Sequence, residues 1–528
     1  MSQKATETVI RSFHADFERI CRDQAQQRAI LDSKTGRVLT YGALFESVQH
    51  FCDFLWDAGV RPSDRVFSIL PNSVEQLVAF LAALWCGIDF CPISPMSTRE
   101  ELRRFVRLCD GAVGLVPHKI DSGLAEDLRK ASKRNSLIPM DTNGDLKNCV
   151  GSGRWQGASG SQNPVGRIIL FTSGTTADPK AIVVNGDRLW SSAMAWVKFH
   201  DFLDSESRFY NMLPMSYLGG LFNLGLIPLA SGGSVVISDA FSAASALKFW
   251  REVEEQGVNT LWLTPTVLRT LLHLHRPVND GRIPWKKVKS AFLGMATSRQ
   301  EEKERFESTF GIPVLENYAL SETTFLTSEK LNDATLRVPC SMGSVLPWAE
   351  VRTQPSSSPE GPAEIQVKTP FLFEGYLKVD GKVHVPLTSD GWFATGDLGV
   401  LEGDLLILKG RSKDIVKKGG YLLVLRDIEE VAELHPEVSE AAAVGVEHDF
   451  YGESATLCVR LKNEKAEPRQ VLNELKSLMS QKLAKYKWPT EMAVMSSFPR
   501  TESGKILKRH LVSNLNSREG ILDSIQVR

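Results

Sequence analysis

The sequence predicts an α/β protein: a large N-terminal domain over residues 1–410 and a small α+β domain over residues 411–528. Three observations lead there. The chain has 528 residues, beyond the roughly 100–200 of a single domain. Short apolar runs alternate with amphipathic ones, the pattern of layered strands and helices. Past Gly410–Lys413 the spacing changes and a self-contained set of strands and helices begins.

Taken in order, Leu77–Cys86 is the most apolar run, ended by Gly87 with Asp89 close behind. It falls short of the roughly 20 residues a membrane helix needs, so a buried helix is expected. Arg167–Phe171 reads as a buried strand entering a polar loop, and Ala181–Val184 as the returning strand. Ser242–Gln256 reads as a helix: Ser242 caps it, Ala246, Leu247, Trp250 and Val253 form its stripe, and Gly257 stops it. Thr260–Leu263, Val288–Leu293 and Pro313–Val314 read as strands, with a charged helix at Arg299–Phe310 between the last two. The Ser/Pro-rich stretch Arg352–Pro362 reads as an exposed loop. In the last domain, helices at Asp427–Leu434 and Arg469–Lys485 flank strands at Ala441–Val446 and Ala455–Leu461.

Composition narrows the function. Hydrophobic residues make up 42% and charged residues 24%, as in a soluble protein with large cores. A formal net charge of -1 argues against broad capture of nucleic acid or anionic membrane. The eight cysteines are scattered without a CxxC pair, and no histidine cluster completes a zinc site. His273 and His275 read as structural. Reduced thiols, a start at Met1–Phe13 without an apolar h-region and no membrane span set the expectation of a cytoplasmic enzyme.

Polar segments punctuate this frame. Phe171-Thr172-Ser173-Gly174-Thr175-Thr176-Ala177-Asp178-Pro179-Lys180 places hydroxyls, a glycine and a lysine where a strand ends. Hydroxyl and backbone N–H donors can wrap a polyphosphate there, although this is not a Walker loop. The alternative is a plain Ser/Thr turn. Glu316-Asn317-Tyr318-Ala319-Leu320-Ser321-Glu322 offers an aromatic face for a purine and, four residues on, a carboxylate for Mg²⁺. A strand-to-helix junction with a surface glutamate is the alternative. Gly391–Gly399 sets Asp397 between tight turns, suited to ribose hydroxyls or to an ordinary hairpin loop. Pro499–Arg509 projects Lys505 beside Gly504, or else forms a solvated basic helix face with Lys508 and Arg509.

In this order and spacing, the segments resemble the adenylate-forming superfamily of acyl-CoA synthetases, aryl-CoA ligases, peptide-synthetase adenylation domains and luciferases. Thr172–Lys180 resembles the phosphate loop [ST]SG[ST]TGxPK, Tyr318–Glu322 the YGxTE element and Thr395–Asp397 the TGD element. Gly410–Lys417 resembles the hinge GRxKDxIK, and Pro499–Lys508 the PxTxxGKIxR element. The likeness starts near Leu39-Thr40-Tyr41. It implies a large N-terminal domain of two α/β lobes plus a small β-barrel, and a mobile C-terminal domain. By the same resemblance, Thr172, Ser173, Gly174, Thr175, Thr176 and Lys180 hold the β- and γ-phosphates. Tyr318 stacks on adenine, Ser321 meets the α-phosphate and Glu322 binds Mg²⁺. Asp397 takes the ribose hydroxyls and Arg411 the ribose or phosphate. Lys413 marks the hinge, Gly420 adjoins the pantetheine tunnel, and Lys505 bridges the acyl carboxylate and α-phosphate. Lys505, Glu322 and Thr175 are the expected catalytic groups; Tyr217, Gly294, Met295 and Ala319 are expected to line the acid pocket.

The implied reaction uses ATP and Mg²⁺ to turn a small carboxylic acid into an acyl-adenylate, then passes the acyl group to CoA. Both first-step reactants are anionic, so cations must offset their repulsion. A phosphopantetheine carrier protein is the alternative acceptor, and a catalytically silent nucleotide-binding regulator the rival of another class. Departures from the family pattern are Ala177 and Ala319 for glycine, Leu425 and Asp427 for Pro and Glu, and Pro214-Met215-Ser216-Tyr217 at the Pro-x-x-His-like segment. The methyl of Ala319 argues against a long straight acyl chain. The absence of an aspartate at Ser216 or Tyr217 argues against an α-amino acid.

Overall fold

A computed structural model describes residues 10–142, 164–172, 180–276, 283–295, 298–354, 363–378, 380–418, 421–463, 465–501 and 504–527. The chain divides into two units: Met1–Glu350 with Lys368–Pro386, and Val351–Val367 with Leu387–Arg528.

The first unit holds two sheets. In one, Val314–Leu320, Ser290–Leu293, Thr260–Leu263, Arg208–Asn211, Ser234–Ile237 and Arg28–Asp32 run in parallel, neighbour to neighbour. Its central strands Ser234–Ile237, Thr260–Leu263 and Ser290–Leu293 are buried at every position, the pattern of a parallel sheet covered on both faces. In the other, Arg65–Ser68, Asp89–Pro92, Val113–Pro117, Ser136–Met140 and Arg167–Thr172 are parallel. Lys180–Asn185 and Gly375–Leu377 extend this sheet antiparallel. The α/β class expected from the sequence is thus observed.

The strongly apolar run lies in the Val74–Trp85 helix, every residue of which is buried. Ser73 caps it through the Gln76 amide. Buried Glu75 is paired by Arg37 at 3.1 Å. Among the described residues, no helix is long and apolar enough to cross a membrane. The Ala243–Glu255 helix is capped by Ser242 and followed by Gly257 at φ +64°. The sulfurs of Cys52 and Cys86, expected as separate thiols, lie against each other. Side-by-side packing of the Tyr41–Asp57 and Val74–Trp85 helices brings them together, and nothing in the cysteine spacing signals it.

In the second unit, Ala363–Lys368, Phe393–Glu402 and Leu405–Arg411 form antiparallel ladders. A separate sheet joins Tyr421–Val424, Ile415–Lys418, Gly452–Leu461, Glu491–Met495 and Ile521–Gln526, with Val438–His448 on Gly452–Leu461. Alternation along its strands divides two cores. Ala443, Leu457 and Met492 pack with Ile428, Leu472 and Leu475 of the Leu425–Glu433 and Pro468–Lys482 helices. Val444, Cys458 and Ala493 pack on the other face with Leu511 of the Lys508–Ser517 helix.

Candidate active site

In the first unit, site residues gather at strand ends. Arg167–Thr172 and Lys180–Asn185 pair in register, Thr172 opposite Lys180, so the expected phosphate loop closes between them. Ser173, Gly174, Thr175, Thr176 and the Thr172 side chain lie outside the described residues. Lys180 is exposed, with Nζ over the ring of Tyr376, 4.6 Å from its centroid.

The second polar segment is a hairpin rather than a strand-to-helix junction. Val314–Leu320 runs on past its parallel neighbour, turns at Ser321–Thr323 and returns as Thr324–Ser328. A register shift falls between Tyr318 and Ala319, and Thr324 takes φ +56°. The pattern around Pro313–Val314 did not show this extension, because polar Glu316 and Asn317 interrupt the apolar run. Both are spoken for: Asn317 Nδ2 donates to the Leu293 carbonyl at 3.0 Å, and the Glu316 carboxylate accepts from the Ser298 hydroxyl. Tyr318 is only 5% exposed. Ser321 and Glu322 are half-buried on the turn. The Tyr376 hydroxyl donates to Glu322 Oε1 at 2.8 Å. Burial pushes the Tyr376 phenol up, and the neighbouring Glu322 anion raises it further, so it stays a donor.

Two residues that the sequence did not single out hold side chains of these segments. Tyr376 is one. The other is Lys303, 4% exposed, whose Nζ meets Glu329 at 2.6 and 2.7 Å and Glu316 at 3.7 Å. Burial pushes both glutamates up while Lys303 pulls them down. Their partners stand far apart in the chain, so no local pattern announces them.

At the expected acid pocket, Gly294 ends the Ser290–Leu293 strand, and Met295 follows at φ +72° with 44% of its surface exposed. The Met295 tip lies against Gly219: a Cβ there would sit 2.1 Å from Met295 Cε. Gly219–Leu226 is a π-helical stretch, a local widening often found near functional sites. Buried Asn211 stabilises it by donating to the Gly220 and Leu224 carbonyls at 2.8 and 3.1 Å. Tyr217 precedes this stretch, half-buried, its amide donating to the Pro214 carbonyl. Ala319 is exposed on the hairpin strand.

In the second unit, Asp397 and Arg411 are register partners across the Phe393–Glu402 and Leu405–Arg411 hairpin. Arg411 Nε is 3.0 Å from Asp397 Oδ1. Thr395 Oγ1 accepts from the Asp397 amide at 3.0 Å, and Gly396 takes φ +74°. The Ser412 hydroxyl donates to the Gly396 carbonyl at 3.0 Å, tying the start of the expected hinge to the TGD element. The Lys413 side chain and Gly420 lie outside the described residues. Lys505 is exposed on a turn before the Lys508–Ser517 helix. Its amide donates to Thr501 Oγ1 at 3.1 Å, and its carbonyl accepts from the Thr501 amide at 2.8 Å. Arg500 braces this turn by donating to the Gly504 carbonyl at 2.8 Å and to Glu440 at 2.5 Å.

Mg²⁺ takes near-octahedral oxygen coordination, keeps several waters and joins substrate phosphates through one or two carboxylates. Glu322 fits that pattern, with one oxygen oriented by Tyr376. Among the described residues no cluster of three or more His, Cys, Asp or Glu offers a full protein cage.

The fold is that of a mixed α/β protein with an exposed lysine-bearing turn on its second unit. The chain belongs to the AMP-binding enzyme family, whose model matches residues 17–377, while the family's C-terminal domain matches residues 427–505. It is 28% identical to a sulfoacetate–CoA ligase of Cupriavidus necator over 92% of this chain and 94% of that protein. It is 27% identical to an oxalate–CoA ligase of Arabidopsis thaliana, over 93% and 96%. The crystal structure of ATP-bound MatB from Rhodopseudomonas palustris superposes with TM-score 0.83 at 25% identity, over 96% of this chain and 99% of that one.

Proposed function

We propose that this protein couples ATP to the activation of a small carboxylic acid and transfers the acyl group to CoA. What supports this most is likeness to CoA ligases along more than nine-tenths of both chains, with the expected site residue types present in order. In the first step a carboxylate oxygen of the acid attacks the α-phosphorus, and the bond to the bridging oxygen breaks to release pyrophosphate. In the second, the CoA sulfur attacks the acyl carbon, the carboxyl-oxygen link to AMP breaks, and the thiol proton goes to solvent. Lys180 and the hydroxyl loop hold the β- and γ-phosphates, Tyr318 and Ser321 place the adenosine phosphate, and Asp397 with Arg411 takes the ribose. Mg²⁺ at Glu322 would supply charge neutralisation on the phosphates. Lys505 offsets the charge growing between carboxylate and α-phosphate, where a preorganised donor is worth about 10²–10³ in rate. The working hinge lies at the 410/411 boundary, with Lys413 beside it and Gly420 next to the pantetheine path.

The acid is small. Met295 fills the space over Gly219, Ala319 carries a methyl where the resembled YGxTE pattern has glycine, and the relatives named above act on sulfoacetate and oxalate. The test is acid-dependent pyrophosphate release across short sulfonated and dicarboxylic acids, straight-chain fatty acids, aryl acids and amino acids. Thioester formation is then assayed on CoA and on a phosphopantetheinylated carrier. Release confined to short acids with CoA as acceptor supports the reading. ATP binding without release for any acid favours a silent regulator, and transfer only to the carrier corrects the acceptor.

A further inference from the structure

We propose that Tyr376 is a positioning residue that joins the phosphate-facing lysine to the metal-facing carboxylate, its ring holding Lys180 and its hydroxyl aiming Glu322. This rests on the phosphate and Mg²⁺ roles given to those two residues above.

The geometry is convergent. Tyr376 lies on the Gly375–Leu377 strand, opposite Ile182 of the strand that Lys180 begins. That register sets the ring beside the lysine, 4.6 Å from Nζ to the centroid. The same side chain reaches Glu322 Oε1 at 2.8 Å. Two backbone hydrogen bonds hold the segment in place. The Phe373 amide donates to the Glu322 carbonyl at 2.7 Å, and the Glu374 amide donates to the Val183 carbonyl at 2.8 Å. The segment is therefore stitched to both elements whose side chains Tyr376 contacts. Arg167 braces it further through Glu374 at 3.2 Å, while holding buried Asp89 at 2.6 Å. Gly375, at φ +140°, is required because a Cβ would lie 2.5 Å from the His384 backbone.

The two contacts do different work. A lysine ammonium over an aromatic face is attracted by the ring quadrupole. That attraction keeps Nζ near the loop without neutralising it, as a carboxylate partner would. The phenol donates to one carboxylate oxygen and leaves the other for a cation, the usual way an outer hydrogen bond orients a metal ligand.

The two substitutions Tyr376→Phe and Tyr376→Leu separate these contacts. ATP binding is measured by isothermal titration calorimetry without acid or CoA, first in EDTA and then with saturating Mg²⁺, so the readout is affinity and not turnover. Tyr376→Phe keeps the ring and should bind ATP in EDTA within about twofold of wild type. Its Mg²⁺-dependent gain should fall about tenfold, the low end of losses seen when a ligand's orienting partner is removed. Tyr376→Leu should lose both the gain and the EDTA affinity. Melting temperatures without nucleotide confirm that each variant is folded. A Tyr376→Phe protein with the wild-type Mg²⁺ gain overturns the proposal. Glu322→Gln is the control for the underlying reading: if it keeps the full gain, Glu322 is not the metal ligand, and that assignment fails instead.

Discussion

Replacing Lys303 with methionine removes one cation from between two buried carboxylates and tests whether charge balance holds up the Glu316–Glu322 hairpin. The Nζ contacts at 2.6 Å to Glu329 and 3.7 Å to Glu316 correspond to roughly 6 and 4 kcal/mol of attraction at an effective dielectric near 20, before desolvation is charged against it. Breaking a buried pair by deleting one partner costs about 3–5 kcal/mol net. That cost has a ceiling set by pH, because the orphaned carboxylate can take up a proton. Protonating a glutamate of ordinary pKa ~4.3 costs about 5 kcal/mol at pH 8 and about 1.6 kcal/mol at pH 5.5. Both glutamates are already raised by burial in the intact protein. Their raised values mean that the folded state holds protons more tightly, so acid favours folding at this cluster. Lys303→Met should therefore lose about 3–5 kcal/mol at pH 8 and about 1–2 kcal/mol at pH 5.5. Urea unfolding followed by tryptophan fluorescence at the two pH values reads both losses. Equal losses would refute the reasoning, since a packing defect does not depend on proton concentration in this way.

Other expected outcomes follow from separate contacts. Lys505→Ala should slow acyl-adenylate formation at least about 10²-fold while sparing thioester formation from supplied acyl-adenylate; equal loss in both half-reactions removes Lys505 from its role. His200, buried and lowered to about 3 chiefly by desolvation and also by Lys330, stays neutral in the folded chain while the unfolded chain protonates below about pH 6.5. Stability should fall as pH drops through that window, by up to about 1.4 kcal/mol per pH unit. His200→Gln should flatten the urea-midpoint profile between pH 6.5 and 4, and unchanged slopes would sink the assignment. Met295→Gly relieves a left-handed backbone costing about 1–2 kcal/mol and opens the space over Gly219. It should raise the melting temperature and shift kcat/KM toward longer acids by about tenfold, within the roughly 1–3 kcal/mol a pocket commands per methylene. An unchanged chain-length ladder would take Met295 out of the pocket.

Much of this frame is legible in the sequence because its signals are local. The Ala243–Glu255 helix announces its cap at Ser242 and its stop at Gly257. The strands bordering the expected phosphate loop are short apolar runs beside Ser, Gly and Pro in the sequence. The polar segments stand out for the same reason: each interrupts an apolar pattern in the local sequence. What escaped reading is non-local. Tyr376 and Glu322 are 54 positions apart, and nothing near Gly375 marks a tyrosine as anything but a strand residue. Lys303 sits in a helix whose charged composition, Gln300–Phe310, reads as solvent-facing, yet one of its cations is buried. The Cys52–Cys86 pairing belongs to the same kind, since helix packing creates it.

The Asp397–Arg411 pair shows how such a long-range contact changes the chemistry assigned to a local motif. An aspartate facing ribose hydroxyls alone would carry a bare charge into a site crowded with phosphate anions. Here Arg411 already faces it at 3.0 Å from the neighbouring strand, so the carboxylate can accept from hydroxyls without adding net negative charge. A guanidinium presents five donors in a fixed fork, more than Asp397 uses through Nε, so the same side chain can meet a phosphate oxygen while it balances the aspartate. Register enforces the arrangement. Asp397 and Arg411 are opposed on paired strands, and a slip of one strand by one residue would turn its side chain to the face away from the other. The TGD element and the start of the hinge element are therefore one ion-paired unit written in two places, and under the proposed ribose role neither motif alone describes the charge that a nucleotide would meet.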